Sequence, residues 1–501
     1  MATAQVSWKA VDKTVSGLAT NAPHQVHVQR EAIPIIFVPG VMGSRLRRAG
    51  TDGNGQSGGL PNLRWDPAAG FLYKNFSGVT PAQRKLLLLG DGKRYDPNFL
   101  EVDDDSPPGD GFRGLMTEYR TFLEELRGHD WGALGKLFVF PVYGFGYNWS
   151  ASNRTSGARL AQRITEIIAE AKAVTGACEK VILVTHSMGG LVARSAMKLS
   201  GAESQVLGVV HGVQPAYGAP AAYMRIKAGF EGDWVKGRLT SRFLGPTGRD
   251  VTALLANSIG GLQLLPGKLY LTSKGSSRWL QIPDQPKGSH LLPLRNDPFA
   301  DIYRVPAVVN PDRPSGPTTN TYWGLVDPEL LTPGDVKTKT ANALDDQSDA
   351  LAPVQAPWTN YLSYLAEAEA FLDQLGTYRH PRTWWFNGTG LATAETARFE
   401  LGSNWVRSDP YPTRGFRGFL RGADGSDLQA VLQDPEGDGD GTVPAMSSSF
   451  NGSMAPSPAP PANRGFDGLA HQPAYQQDEV KRWATAAVTA IAGVHFKEHH
   501  G

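Results

Sequence analysis

The sequence predicts an α/β fold, in which a mostly parallel sheet is flanked by helices and interrupted by a large inserted cap. Short apolar runs alternate with amphipathic helical segments over the first 220 residues, a rhythm typical of parallel sheets covered by helices. This rhythm stops at about residue 221 and resumes near residue 380. The chain has 57 Gly and 36 Pro, which indicates long structured loops rather than a helical bundle. The predicted organisation is an N-terminal extension (1–30), a first core part (31–220), a cap or lid (221–379) and a second core part (380–501).

The individual elements follow from residue patterns. Continuous apolar runs are typical of strands buried on both faces, and they predict strands at 33–38, 136–140, 181–184, 206–210 and 383–386. Apolar residues at helical spacing predict helices at 156–175, 191–199, 358–375 and 478–493. The insert also has tryptophans that either line a cleft or, as we favour, pack the core of the cap: Trp234, Trp279, Trp323 and Trp358.

Composition excludes several classes of function. The net charge is +1, whereas a nucleic-acid binder needs a large basic excess or a basic stripe. The single cysteine, Cys178, excludes an intrachain disulfide and a Cys-rich zinc site. Zinc-site spacings and P-loop sequences are absent too, so we expect no metal and no cofactor. Met1–Arg30 has no apolar signal-peptide core, and no stretch reaches the roughly 18 to 20 apolar residues of a membrane span. We therefore expect a soluble protein, cytoplasmic in the cell that makes it.

A turn at residues 185–190, with the sequence Thr-His-Ser-Met-Gly-Gly, carries the clearest chemical signal. It lies between an apolar strand and a helix, where Gly-x-Ser-x-Gly presents a nucleophilic serine in the α/β-hydrolase fold. The departure is Thr185 at the place of the first glycine. The alternative is an ordinary strand-turn-helix connection whose serine only caps the helix. We favour Ser187 as a nucleophile.

The oxyanion formed by such a nucleophile needs preorganised amide donors. One comes from the residue after the serine, here Met188, and the other from the loop after an early strand. The Gly-rich segment Val38–Gly43 suits that loop, and we select Val41 for the second amide. The alternative is an ordinary Gly-rich exit from a strand.

The base and the acid follow from chain order, which in this fold is Ser, then Asp or Glu, then His. Of 11 histidines, His471 lies on a loop just before the terminal helix, where the base belongs; the alternative is an exposed loop histidine. The acid is predicted in the turn 434–444, with Asp440 as first choice and Asp438 in reserve. That turn begins like a calcium loop, but Ser447 replaces the required distal glutamate.

Several segments together resemble the lecithin:cholesterol acyltransferase-like family, which includes lysosomal phospholipases A. They are Pro34–Ser44, Tyr147-Asn148-Trp149, Asn257–Pro266 and Gly439–Val443. In the second segment, this chain has Asn148 and Ser150 where the family has Asp and Arg. The similarities are spread over residues 33–471 in the family's order.

This resemblance implies a cleft beside a cap, the triad Ser187, Asp440 and His471, and the amides of Val41 and Met188 as oxyanion hole. Met42 and Trp149 are expected to contact the substrate, a phospholipid or acylglycerol ester met at a membrane interface. The missing signal peptide makes the chain more similar to bacterial lipases delivered by type VI secretion. A cognate inhibitor protein and a secretion-spike protein would then be partners. Two alternatives stay open: a lipid acyltransferase, and a non-catalytic protein that uses the hydrolase scaffold for binding.

Overall fold

The computed structural model describes most of the predicted core and parts of the insert. The N-terminal extension lies outside the described residues except for Arg30, as does Trp234. The described residues are 30–48, 64–65, 80–89, 100–103, 112, 114–229, 245, 248–281, 323–326, 331, 357–402, 417–421, 427–452 and 457–500.

A six-stranded sheet forms the centre of the described structure, and all its neighbouring strands are parallel. Its strands are β1 (Ile35–Val38), β2 (Val142–Gly144), β3 (Val181–His186), β4 (Val206–Gly212), β5 (Thr383–Thr389) and β6 (Arg464–Asp467). Their order across the sheet is β6-β5-β4-β3-β1-β2. Because parallel strands end at the same edge, the loops after β1, β3, β5 and β6 meet there, where α/β proteins bind their ligands.

Helices accompany this sheet and extend into the insert. They are α1 (Pro81–Leu89), α2 (Arg120–Gly128), α3 (Asn153–Thr175), α4 (Gly189–Lys198), α5 (Pro220–Ala228), α6 (Gly248–Leu255), α7 (Ile259–Leu262), α8 (Pro357–Leu375), α9 (Ala445–Ser448) and α10 (Asp478–His500). Helix α3 starts where the Ser152 side chain accepts a hydrogen bond from the Arg154 amide at 3.3 Å. It ends at Gly176, whose φ of 79° is the left-handed conformation that terminates many helices. No helix among the described residues is long and apolar enough to span a membrane.

The apolar runs arise because both faces of the sheet are covered. In β1, Ile36 and Val38 pack in one core cluster with residues of α3 and α4. The alternate residues Ile35 and Phe37 pack in a second cluster with residues of α2 and α10. Each fully buried side chain of this kind contributes about 1.5–3 kcal/mol. Burial on both faces explains why the strands read as continuous apolar segments instead of alternating ones.

A third core cluster lies in the insert and its flanks. Trp279 and Trp323 are both buried there, which supports the interpretation of these tryptophans as packing residues. The side chain of Trp358 lies outside the described residues.

Strands outside the central sheet form smaller ladders, with members Glu31–Ala32, Leu46–Arg48, Arg64–Trp65, Leu100–Val102, Phe138–Val139, Leu280–Gln281, Leu391–Ala392, Ala397–Gly402, Arg417–Arg421, Asp427–Leu432 and Asp438–Gly439. The domain boundaries proposed above stay a prediction.

Two elements differ from the sequence prediction. The apolar run 136–140 is not a strand of the central sheet. Among the described strands, Phe138–Val139 pairs with Glu31–Ala32 in a two-stranded ladder. The central strand β2 begins after Pro141, which has no amide hydrogen to donate within a ladder. The terminal helix is also longer than 478–493. It continues to His500, and the buried His495 lies 3.3 Å from Glu31, so a tertiary contact holds the part of the helix that the apolar pattern did not predict.

Candidate active site

The turn at Ser187 connects β3 to α4 in a strained conformation. Ser187 has a φ of 52°, which is uncommon for a residue with a side chain and costs about 1–3 kcal/mol. Its amide is held by the Gly212 carbonyl at 2.9 Å. A Cβ at Gly189 would lie 2.3 Å from the carbonyl oxygen of Val38, and one at Gly190 would meet the Gln214 side chain at 2.6 Å. The two glycines thus let α4 start between the ends of β1 and β4.

The structure brings Ser187, His471 and Asp440 together from segments far apart in the chain. His471 follows β6, and its Nε2 lies 2.8 Å from Ser187 Oγ. Its Nδ1 lies 2.7 Å from Asp440 Oδ2. The backbone amide of His471 also donates to the Asp440 carbonyl at 2.9 Å. These distances allow a proton to pass from the hydroxyl to the imidazole while the carboxylate holds the other ring nitrogen.

The Asp440 side chain is fixed on both oxygens. Oδ1 accepts hydrogen bonds from the amides of Thr442 at 2.9 Å and Val443 at 2.7 Å, which leaves Oδ2 for His471. The reserve candidate Asp438 is exposed, and its Oδ1 accepts from the Gly390 amide at 2.6 Å. The geometry therefore favours Asp440 over Asp438 as the partner of His471.

A positive charge lies beside this acid. Arg225 of α5 donates from Nη2 to Thr442 Oγ1 at 3.0 Å. Burial lowers the pKa of Arg225 to about 10, and the nearby Asp440 charge opposes that fall. Arg225 therefore stays protonated at neutral pH and keeps a positive charge beside the turn that contains Asp440 and Thr442. Nothing in the sequence pointed to Arg225, because it lies on the helix after β4, more than 200 residues before the acid.

The loop after β1 forms a tight turn next to Ser187. The Gly43 amide donates to the Gly40 carbonyl at 3.1 Å, with Val41 and Met42 between them. Met42 has a φ of 63°, the conformation that the third position of a type II turn requires. A Cβ at Gly40 would come within 2.9 Å of the Ser187 Cβ. The loop can lie against Ser187 only because residue 40 is a glycine.

Tyr147 holds both ends of this loop. Its hydroxyl donates to the Pro39 carbonyl at 2.9 Å, and its amide donates to Ser44 Oγ at 3.0 Å. The altered Tyr147-Asn148-Trp149 segment is therefore anchored directly behind the predicted oxyanion loop. Asn148 in turn accepts from the Ser150 hydroxyl at 2.7 Å, so the two residues that depart from the family pattern are hydrogen-bonded to each other.

The remaining predicted residues lie at different depths around Ser187. Among the described residues, the amides of Val41 and Met188 donate no backbone hydrogen bond in turns or loops. Met42 is half-buried against the first core cluster. Trp149 belongs to that cluster and is only 2% exposed, so its side chain packs the core beneath the loop, and a substrate contact would require the cluster to open.

Two further residues surround the triad that the sequence did not single out for it. His186 precedes the nucleophile, and Tyr119 comes from a short 3₁₀ helix (Thr117–Tyr119). His186 Nδ1 lies 2.9 Å from the Tyr119 hydroxyl. Burial is the main cause that lowers the pKa of His186 to about 3. Within the described ranges, no group of three or more His, Cys, Asp or Glu side chains is arranged to hold a metal ion.

Comparisons with known proteins agree with this architecture. Residues 144–230 match the family model described as a PGAP1-like alpha/beta domain, a span from the end of β2 past α5 that includes the Ser187 turn. The structure is similar to a chain in the crystal structure of the Tle4-Tli4 complex, with a TM-score of 0.66 and 23% sequence identity over 93% of this chain and 99% of the other. A search of curated proteins found no matching sequence. The predicted α/β-hydrolase fold, with its mostly parallel sheet, is confirmed.

Proposed function

We propose that this protein is a serine esterase that hydrolyses carboxylic esters of lipids through an acyl-enzyme. The observation that carries the proposal is the continuous contact from Ser187 Oγ to His471 Nε2 at 2.8 Å and from His471 Nδ1 to Asp440 Oδ2 at 2.7 Å. Nucleophile, base and acid have the spacing that acyl transfer requires. They lie at the carboxyl edge of the sheet of an α/β-hydrolase fold.

In the proposed first half-reaction, Ser187 Oγ attacks the ester carbonyl carbon while His471 Nε2 takes the hydroxyl proton. The carbonyl π electrons move onto oxygen, and the amides of Val41 and Met188 stabilise that oxyanion. When the intermediate collapses, the C–O bond to the alcohol breaks and His471 gives its proton to the departing oxygen. Asp440 remains ionised and holds the imidazolium.

In the second half-reaction, a water molecule attacks the acyl-serine carbonyl and His471 takes a proton from it. The new tetrahedral intermediate expels Ser187 Oγ, which recovers its proton from His471. The products are a carboxylic acid and the regenerated enzyme. Arg225 supports both halves by holding the turn that carries Asp440, because its Nη2 donates to Thr442 Oγ1 at 3.0 Å.

A lipid ester is the substrate class that we propose, either a phospholipid or an acylglycerol. The sequence resemblance described above supports it, together with the half-buried Met42 in the loop that approaches Ser187 at Gly40. The binding of this substrate would bring the protein transiently to a membrane interface. Purified protein assayed against a panel of phospholipids and triacylglycerols, with Ser187→Ala as control, tests the proposal. Release of fatty acid by wild type and not by the variant is the expected outcome.

The two alternatives have distinct signatures. An acyltransferase would form a new ester when an alcohol is added, at the expense of free fatty acid. A non-catalytic binding protein would neither release fatty acid nor react with a fluorophosphonate probe. Labelling of wild type that disappears in Ser187→Ala excludes the binding protein, and absence of labelling in folded wild type contradicts the proposed esterase.

We also propose that the protein is a type VI secretion effector with a cognate inhibitor protein and a secretion-spike protein as partners. The similar Tle4 chain was crystallised in a complex with Tli4, which supports a dedicated protein partner here. The test is co-purification of the tagged chain with the product of the adjacent gene, followed by an esterase assay. A bound protein that suppresses ester hydrolysis supports the proposal, and no binding by the neighbouring gene products contradicts it.

A further inference from the structure

His186 connects two loops of the active site through both of its ring nitrogens. Its Nε2 lies 2.9 Å from the backbone carbonyl oxygen of His471. Its Nδ1 lies 2.9 Å from the Tyr119 hydroxyl. That hydroxyl also lies 3.5 Å from the Gly40 amide, at the start of the loop that carries Val41. A chain of polar contacts thus runs from the β1 exit loop, through Tyr119 and His186, to the residue that bears the base.

One arrangement of protons satisfies every contact of this chain. A backbone carbonyl can only accept, so His186 Nε2 must carry the hydrogen and donate it to His471. A neutral imidazole then has a bare Nδ1, which accepts from the Tyr119 hydroxyl. The oxygen of Tyr119 keeps a lone pair for the Gly40 amide, which can only donate. All three hydrogen bonds therefore run in the same direction, from the Gly40 amide towards the His471 carbonyl.

The surroundings keep His186 in this neutral form. His186 and Tyr119 are 2% and 3% exposed, and the rings of Tyr119, Tyr475 and His471 pack around the imidazole. A protonated His186 would lose its acceptor at Nδ1 and face the hydroxyl of Tyr119 with a second donor. Because burial lowers the pKa of His186 to about 3, His186 stays neutral and keeps its contact with Tyr119 at neutral pH.

We propose that Tyr119 and His186 are positioning residues that set the backbone of the base His471 relative to the oxyanion loop. The inference rests on the proposed esterase function, and it adds a second constraint to that site. Asp440 fixes the imidazole of His471 and also accepts from its amide at 2.9 Å. His186 holds the carbonyl at the other end of the same residue. The main chain of His471 is thereby fixed on both sides of its side chain.

The contacts of Tyr119 and His186 act on the geometry of the transition state. Misplacing a reacting group by about 1 Å costs on the order of 100-fold in rate. Releasing the His471 carbonyl alters the approach of Nε2 to Ser187, whereas the binding of the ground-state ester depends on other contacts. We therefore expect kcat to fall and KM to change little when the chain of contacts is broken.

The experiment compares His186→Leu, His186→Gln and Tyr119→Phe in ester hydrolysis and in the rate of fluorophosphonate labelling. His186→Leu removes both contacts and is expected to lower kcat and the labelling rate about 100-fold, with KM within about twofold. His186→Gln keeps a donor for the His471 carbonyl and is expected to recover part of that loss. Tyr119→Phe removes one hydroxyl and is expected to lower kcat about 10-fold. Complete labelling of each variant counts its active sites, so that loss of folded protein is not mistaken for slower chemistry.

Tyr475→Phe is the matched control. Tyr475 packs against Phe37 and His186 as Tyr119 does, but its hydroxyl donates to the Thr185 carbonyl at 3.0 Å. Both variants lose one buried hydroxyl, so equal effects on kcat would overturn the inference. So would a folded His186→Leu protein with kcat within twofold of wild type. If wild type is neither labelled nor active, the proposed function fails together with the inference. If wild type and the variants at positions 119 and 186 are equally active while Ser187→Ala is inactive, only the inference fails.

Discussion

Thr185, two residues before Ser187, and His211 are hydrogen-bonded partners across two neighbouring strands. They face each other in the register of β3 and β4, and Thr185 Oγ1 lies 2.8 Å from His211 Nδ1. Both side chains are buried, and burial is the main cause that lowers the pKa of His211 to about 3. The residue that departs from Gly-x-Ser-x-Gly is thus the partner of a buried neutral histidine.

Thr185→Val is expected to lower the free energy of unfolding by about 1–3 kcal/mol, because it leaves His211 Nδ1 buried without that partner. The shape of the side chain is almost unchanged, so the rate per labelled active site should stay within about twofold. Urea unfolding and fluorophosphonate labelling measure the two quantities. A variant as stable as wild type would show that the hydroxyl contributes nothing at this position.

Asp440→Asn is expected to lower kcat by about 10⁴-fold, because the amide no longer stabilises the imidazolium or its correct tautomer. The matched control is Asp438→Asn, two residues away in the same turn. Asp438 is exposed and contacts the Gly390 amide instead of His471, so its kcat should stay within about threefold of wild type. Steady-state hydrolysis of a water-soluble ester separates them, and a larger loss in Asp438→Asn would identify that residue as the acid.

Gly189→Ala should be more damaging than Gly190→Ala. The added methyl group at 189 meets two backbone carbonyls, those of Val38 at 2.3 Å and Pro39 at 2.4 Å, and the backbone cannot yield without moving the oxyanion loop. At 190 the methyl group meets the buried side chain of Gln214 at 2.6 Å, and a side chain can shift with less disruption than two backbone carbonyls. We expect at least about 3 kcal/mol of destabilisation at 189 and about 1 kcal/mol at 190. Thermal unfolding of both variants tests this order, and the reverse order would contradict the packing described for the start of α4.

Stability should decrease as the pH falls from about 6.5 towards 3. His186 and His211 have a folded-state pKa of about 3, against 6.5 when unfolded. Between these values the unfolded chain binds more protons, so the stabilisation is fully present above pH 6.5 and is lost on acidification. Each histidine adds a slope of up to about 1.4 kcal/mol per pH unit.

Urea unfolding at several pH values between 4 and 7 measures this slope for wild type and His211→Gln. The variant lacks one of the two histidines, so its slope should be smaller by about 1.4 kcal/mol per pH unit. The carboxylates are the same in both proteins, so their contribution to the pH dependence cancels in the comparison. If the free energy of unfolding changed with pH equally in both proteins, His211 would be protonated in the folded state or shielded less than its burial indicates.

The sequence predicted much of the fold because strand burial leaves a local pattern. Apolar runs located β1, β3, β4 and β5, and helical spacing located α3, α4 and α8, within a few residues of their bounds. The run 136–140 was predicted as a strand of the central sheet, and this was wrong because apolar composition alone does not say which sheet a strand joins. Only the pairing register assigns Phe138–Val139 to a small ladder and Val142–Gly144 to the central sheet.

What the sequence by itself located is the turn at Ser187 and, in chain order, the residues that we propose as its catalytic partners. The pattern around Ser187 is local, since a serine between a strand and a helix needs small residues at fixed positions. Tertiary structure alone decided that Asp440, and not Asp438, faces His471 at 2.7 Å. It also decided the contacts of Tyr119 and Arg225, which reach the site across 67 and 217 residues of chain. Such contacts leave no periodic trace in the sequence, because they depend on which strand ends the folded sheet brings to one edge.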